Sequence, residues 1–174
     1  MTREGPPFVV EMLDRHDRTQ FSCGTDALDA YFKQQVTQDV RRRVTACFVA
    51  LEVETGIVAG FYTLAAASVA MPDLPEATAR KLPRYPSIPA IRVGRLAVDK
   101  RFRGRGLGGA LLADATRRGL KSEVGAFALL VDAKDDDAIA FYLHHGFQRI
   151  ANQPRTLFAA LATLEKAAKG GGLK

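Results

Sequence analysis

KRFRGRGLGGALL, Lys100–Leu112, sets three arginines (Arg101, Arg103, Arg105) and four glycines (Gly104, Gly106, Gly108, Gly109) in front of an apolar helical pattern. Glycine lets main-chain N–H groups come close to a ligand, and the first turn of a helix leaves N–H donors unpaired at the positive end of its dipole. The composition therefore predicts an anion-binding turn between a strand and a helix. AIRVGRLAVD, Ala90–Asp99, reads as the strand before it. Leu107–Leu120 reads as the helix after it, with Leu107, Leu111, Leu112 and Ala115 facing inward.

Working outward, Leu28, Tyr31, Phe32, Val36 and Val40 recur at helical spacing, with Thr25 or Asp26 near the cap. Val44–Val53 and Ile57–Val69, joined by the turn ETG, predict a strand hairpin. Met71–Pro89 holds five of the eight prolines and leaves room for one short helix before Pro83. Ala126–Val131 is a continuous apolar run of the kind buried on both faces of a sheet. Asp135–Asp137 cap a helix through AIAFYLHH that stops at Gly146, and Phe147 onward with RTLFAAL supplies closing strands. This order predicts one α/β domain with a mixed sheet over residues 1–168 and a flexible tail over 169–174.

The net charge of +6 is unevenly placed: Arg80–Arg105 carries nine Lys or Arg against one acid, Asp99, while the rest of the chain holds 16 basic and 18 acidic residues. A basic segment beside a glycine turn points to a polyanionic ligand, nucleic acid or both. Cys23 and Cys47 form no CxxC pair, His144 and His145 sit at a helix end, and no cluster has metal spacing, so no metal is expected. No apolar run is long enough to span a bilayer, and the first residues carry no secretory pattern, so the expected compartment is the cytoplasm.

Three phosphate readers compete for the turn. A P-loop needs GK followed by Ser or Thr, but Leu107 and Gly108 follow Gly106. The dinucleotide pattern GxGxxG is met by Gly104, Gly106 and Gly109, yet KRFR separates strand from glycine and Asp132 would have to serve as the ribose acid. The third reader is Arg103-x-x-Gly106-x-Gly108, with RLAVD before it and AFYLHHGF after the next strand. This arrangement resembles the GCN5-related N-acetyltransferase superfamily, over roughly Ile91–Phe147.

The resemblance implies a mixed central sheet with a splayed pair of parallel strands and flanking helices, and acetyl-CoA as the acetyl donor. It also implies that Arg103, Gly104, Arg105, Gly106, Leu107, Gly108 and Gly109 receive the pyrophosphate, with main-chain groups of Leu96, Ala97 and Val98 pairing with the pantetheine arm. By the same resemblance Tyr142 is the general acid for the departing thiolate, leaving Phe141 as the packing aromatic. Many superfamily members have Asn where this chain has Asp132-Ala133-Lys134, so no asparagine contact is carried over.

Superfamily members often use a carboxylate on the strand before the loop as base, and IRVGRLAV contains none. At pH 7 an α-amine of pKa ~7.8 is roughly one-tenth free, and a lysine of pKa ~10.4 only a few parts in ten thousand. A site without a strong base favours an α-amine, above all one acidified by a neighbouring ester. Aminoacyl-tRNA joins that amine to a polyanion, for which Arg41, Arg42, Arg43, Arg92 and Arg95 are the candidate contacts. FSCGTDALDAYF, AGFYTLAAASV and GRLAVD also resemble the toxin branch of the superfamily, from Phe21 to Phe147. That branch acetylates charged tRNA and blocks translation; it implies a homodimer and a ribbon-helix-helix antitoxin. The alternatives are an acetyltransferase of a small amine or protein N-terminus, and a nucleic-acid-binding module with a degenerate cofactor site.

Overall fold

β-branched and aromatic residues alternating through the first half of the chain build a three-strand meander, and the computed structural model, which describes residues 6–171, begins with it. Strand β1 (Phe8–Met12) pairs antiparallel with β2 (Ala46–Glu52), from Phe8↔Glu52 to Met12↔Phe48. Strand β2 in turn pairs antiparallel with β3 (Val58–Ala70), with a bulge at Ala50/Leu51. The remaining strands are β4 (Ser87–Val98), β5 (Ala128–Asp132), β6 (Gln148–Ile150) and β7 (Gln153–Ala160). They complete one seven-stranded mixed sheet in the order β1-β2-β3-β4-β5-β7-β6.

Contacts within this domain fall into two units, one made of the described residues up to Leu64 with Arg95–Asp114, the other of Ala65–Gly94 with the residues from Ala115 on. In the first, helix α1 (Asp26–Ala30), a π turn (Tyr31–Gln35) and α2 (Val36–Arg41) follow one another without a break. The uniform helix expected there is therefore interrupted by one wider turn. Arg18 supports that turn by donating to the Phe32 carbonyl at 2.5 Å and to Thr37 Oγ1 at 3.1 Å. Phe32 and Phe61 stack with centroids 4.1 Å apart, and Phe21 meets both edge-on at 4.8 and 5.7 Å. Aromatic pairs of this geometry add to the burial of their surface.

In the second unit a 3-10 turn (Met71–Asp73) and helix α3 (Glu76–Ala79) fill the proline-rich stretch, and β4 begins at Ser87 rather than Ala90. Parallel pairing of β4 with β5 runs from Ala90↔Ala128 to Val93↔Val131 and goes no further. That short ladder is the parallel pair the resemblance implies. Ala128, Leu129, Leu130 and Val131 are all buried, as the continuous apolar run predicts. Helix α4 (Leu107–Lys121) starts in the first unit and ends in the second, and its Leu107, Leu111, Leu112 and Ala115 face inward as expected. Helix α5 (Asp136–His144) stops before Gly146, whose φ is +92°.

A last helix, α6 (Leu161–Gly171), has no counterpart in the sequence reading and takes in the first residues of the expected tail; residues 172–174 lie outside the described residues. No helix among the described residues is long and apolar enough to cross a membrane.

Candidate active site

The strand that leads into the glycine turn is anchored by an acid the composition barely hints at. Asp99, only 1% exposed, accepts hydrogen bonds from the N–H groups of Ser22 (3.0 Å) and Arg101 (2.9 Å). It also takes Nε and Nη2 of Arg101, both at 3.0 Å. Burial pushes its carboxyl up, but the Arg101 guanidinium and the two N–H donors outweigh it and hold the group below the usual carboxylate range. A 3-10 turn, Lys100–Phe102, follows and buries Phe102.

Arg103 donates to the Cys23 carbonyl at 2.6 Å. Arg105 donates to Glu52 Oε2 at 3.1 Å with its guanidinium 4.8 Å from the Phe8 ring centroid. All three arginine side chains of the turn thus reach protein acceptors and brace it, beside the main-chain N–H groups at the start of α4.

Gly104 and Gly106 have φ of +77° and +75°, a region an L side chain enters only under strain, and a Cβ at either would meet nothing within 4 Å. The Gly106 carbonyl accepts from Ala110 N–H at 3.1 Å, which starts α4 and leaves Leu107, Gly108 and Gly109 as its first turn. N–H groups in a first turn have no helical acceptor and sit at the positive end of the dipole. Neutral main-chain donors at a helix start fit a diphosphate held without a metal. Among the described residues no group of three or more His, Cys, Asp or Glu is placed to hold a metal ion.

Leu96, Ala97 and Val98 form the end of β4, past the last rung of its ladder with β5. Gly60 on β3 is what lets this strand lie close: a Cβ there would stand 2.9 Å from the Ala97 carbonyl oxygen and 3.1 Å from Leu111 Cδ1. Just before them, Arg95 stacks on Tyr31 with its guanidinium carbon 3.5 Å from the ring centroid. Arg41, Arg42 and Arg43 are exposed at the end of α2, Arg43 with φ of +63°. The buried pair Tyr62–Asp114, 2.5 Å, was missed by the sequence reading. Its signal was an acid set among Leu111, Leu112 and Ala115, in the helix's apolar stripe.

The second unit holds the phenol. Helix α5 is capped by Asp135, which accepts from Ala138 N–H at 2.8 Å, and acids fill its first turn. Tyr142 is 4% exposed, packed against Phe141 and Phe147 with centroids 5.2 and 5.7 Å away. Phe141, expected to be the packing aromatic, is the less buried of the two.

The Tyr142 hydroxyl makes no hydrogen bond among the described residues, yet no buried side-chain polar atom there lacks a partner. The hydroxyl therefore keeps access to solvent or ligand while the ring is enclosed. Burial, and after it the charge of Asp132, push the phenol above its ordinary value, so it holds its proton. Asp132 in turn accepts from Arg92 Nη1 at 2.6 Å and from Thr156 Oγ1 at 3.3 Å. Arg92, a candidate for RNA, has its guanidinium on a protein carboxylate.

Known proteins resemble this chain over most of its length. The acetyltransferase (GNAT) domain family matches residues 44–149. A tRNA-acetylating toxin of Mycobacterium tuberculosis is 39% identical over 143 residues, covering 81% of this chain and 84% of that protein. A probable toxin TacT of Sinorhizobium fredii is 33% identical over 167 residues, 90% of this chain and 92% of its own.

Among solved structures, a tyrosine-to-phenylalanine mutant of KacT superposes with a TM-score of 0.84 at 28% identity, covering 92% of this chain and 99% of that one. AtaT complexed with acetyl-methionyl-tRNAfMet gives 0.82 at 27%, covering 91% and 97%. AtaTR bound with acetyl-CoA gives 0.77 at 27%, covering 91% and 96%. With the family model matching residues 44–149 and toxin relatives 33% and 39% identical over most of the chain, this chain belongs to the GNAT acetyltransferase family, among the relatives of these toxins.

Proposed function

We propose that this chain is an acetyl-CoA-dependent N-acetyltransferase that modifies the α-amine of aminoacyl-tRNA and so blocks translation. The observation that carries the reading is the turn at Gly104–Gly109, which presents main-chain donors while its arginines are tied to the protein. Acetyl-CoA, when bound, supplies the activated acetyl thioester. The N–H groups of Gly104–Gly109 would hold the diphosphate, the Arg103 N–H being donated to the Lys100 carbonyl at 3.4 Å, and main-chain groups of Leu96, Ala97 and Val98 would hold the pantetheine arm. Tyr142 keeps a proton at Oη for the thiolate, and its upward displacement by burial keeps the phenol protonated at neutral pH. The strand segment Ile91–Val98 carries no carboxylate, which favours an amine that is already partly unprotonated at neutral pH.

Exposed Arg41, Arg42 and Arg43 supply charge toward the RNA backbone, joined by Arg95; Arg92 contributes only if it leaves Asp132. We further propose, as what the resemblance to the toxin branch implies, that the chain works in the cytoplasm as a homodimer and is neutralised by a ribbon-helix-helix antitoxin. Incubation with labelled acetyl-CoA and charged or uncharged tRNA tests the reading. Label is expected on charged tRNA alone; label on polyamines or peptides, and on neither tRNA, would replace it with a small-amine or N-terminal acetyltransferase.

A further inference from the structure

Residues 91, 93, 95 and 97 of β4 share one face, and on it Val93 and Ala97 are buried. Arg95 stands between them as an exposed cation in an otherwise apolar row, its N–H donated to Thr63 Oγ1 at 3.1 Å. Its guanidinium carbon lies 3.5 Å from the Tyr31 centroid, van der Waals contact at which a tilted guanidinium would drive a nitrogen into the ring. The group therefore lies flat, with its N–H edge running parallel to the ring and past its rim.

Tyr31 is itself locked. It is 9% exposed and donates to Asp39 Oδ2 at 2.8 Å, while Gln35 Nε2 donates to Asp39 Oδ1 at 3.0 Å. Both carboxylate oxygens are thus engaged by neutral donors, and the charge of Arg95 reaches Asp39 through space without a hydrogen bond. Among the arginines of Arg92–Arg105, the guanidinium groups of Arg92, Arg101, Arg103 and Arg105 donate to protein acceptors; that of Arg95 donates to none among the described residues.

We infer that Arg95, held edge-out by Tyr31, is the anchor for a phosphate of the acceptor's single-stranded 3′ end. The inference rests on the aminoacyl-tRNA reading and deepens it by assigning one contact. A planar fork matches phosphate oxygens two at a time, and stacking removes in advance most of the rotamer freedom that binding would otherwise cost. The outer face of the guanidinium stays open for an unpaired base, the mode by which single-stranded RNA meets arginine planes. A phosphate could come from RNA or from the coenzyme, and the two sources separate kinetically.

The test compares Arg95→Gln, Arg95→Lys and Tyr31→Leu, with thermal melts to establish folding. Arg95→Gln should raise KM for charged tRNA about tenfold or more and leave KM for acetyl-CoA unchanged, as expected for one lost charged hydrogen-bonding contact. The log–log salt dependence of tRNA binding should become shallower by about 0.7–0.9, one phosphate contact. Arg95→Lys should restore that slope without restoring KM, because the charge returns and the stacked fork does not. Tyr31→Leu, if folded, should raise the tRNA KM with the slope retained. Unchanged tRNA KM and slope in Arg95→Gln, or a loss confined to acetyl-CoA, overturns the inference. Anisotropy with uncharged tRNA keeps the two readings apart: a protein that binds tRNA without labelling it refutes the activity, while the Arg95→Gln slope still decides the contact.

Discussion

The Arg103 guanidinium reaches back 80 residues along the chain to donate to the Cys23 carbonyl at 2.6 Å, tying the glycine turn to the segment that enters α1. The next residue, Gly24, has φ of +90°, and a Cβ there would stand 2.6 Å from Arg103 Nη2. Gly24→Ala therefore combines backbone strain with displacement of the very group that holds the turn. It should cost about 1–3 kcal/mol of stability and reduce the rise in Tm that acetyl-CoA gives. Arg103→Ala should do the same, and the double variant should lose less than the two single losses added together, because both remove one contact. Thermal melts with and without acetyl-CoA measure all three.

Gly60→Ala acts on the same strand end from β3. Its methyl would press on the Ala97 carbonyl, a main-chain atom that moves only with β4, and on Leu111 of α4. Overpacking of this kind costs about 1–3 kcal/mol. The expected signature is a fall in acetyl-CoA affinity by isothermal titration larger than that of an alanine placed at Gly125, where a Cβ meets nothing within 4 Å. Equal affinities would mean that Ala97 does not contribute to holding the pantetheine arm.

Much of the site was legible because its signals are local. Glycines at Gly104 and Gly106 demand a backbone that only a tight turn supplies, and the apolar spacing from Leu107 to Ala115 declares the helix that follows. What stayed hidden depends on partners far along the chain. Arg101, Arg103 and Arg105 read as ligand charge, and nothing local says that Asp99, Cys23 and Glu52 absorb them.

The π turn at Tyr31–Gln35 is hidden for the same reason. Leu28, Tyr31, Phe32 and Val36 fit an ordinary helix, and the wider turn is held by Arg18, 14 residues before Phe32. Phe141 and Tyr142 adjoin in sequence, so helical spacing alone did not say which would be enclosed.

Asp99→Asn should destabilise the fold chiefly near neutral pH. The folded carboxyl sits below its unfolded value, so its contribution is fully present above the unfolded pKa of ~3.9 and is lost as pH falls through the folded one. The variant removes the charge that Arg101 and two N–H groups share, at a cost of about 2–3 kcal/mol, or roughly 4–12 °C in Tm. The gap between wild type and variant should narrow as pH is lowered from 7 to 3. A gap independent of pH over that range would assign the effect to shape rather than charge.

Tyr142 must be protonated to serve as an acid, and its phenol is displaced upward by burial and by Asp132. The sign follows: acid function is complete below the raised pKa and fails only as pH climbs through it. Single-turnover acetylation should therefore rise with pH as the α-amine deprotonates near ~7.8, then stay level to at least pH ~10. Tyr142→Phe should lose about 10²–10⁴-fold in turnover, with the acetyl-CoA thermal shift intact. Asp132→Asn removes the charge contribution to the upward displacement, so its descending limb should begin at lower pH than in wild type. It also frees Arg92 from its 2.6 Å contact, and Arg92→Gln serves as the control, leaving Asp132 charged and unneutralised. If the phenol is the acid, both of these variants keep turnover at pH ~8 while Tyr142→Phe loses it; undiminished turnover in Tyr142→Phe would show that the proton for the thiolate comes from elsewhere.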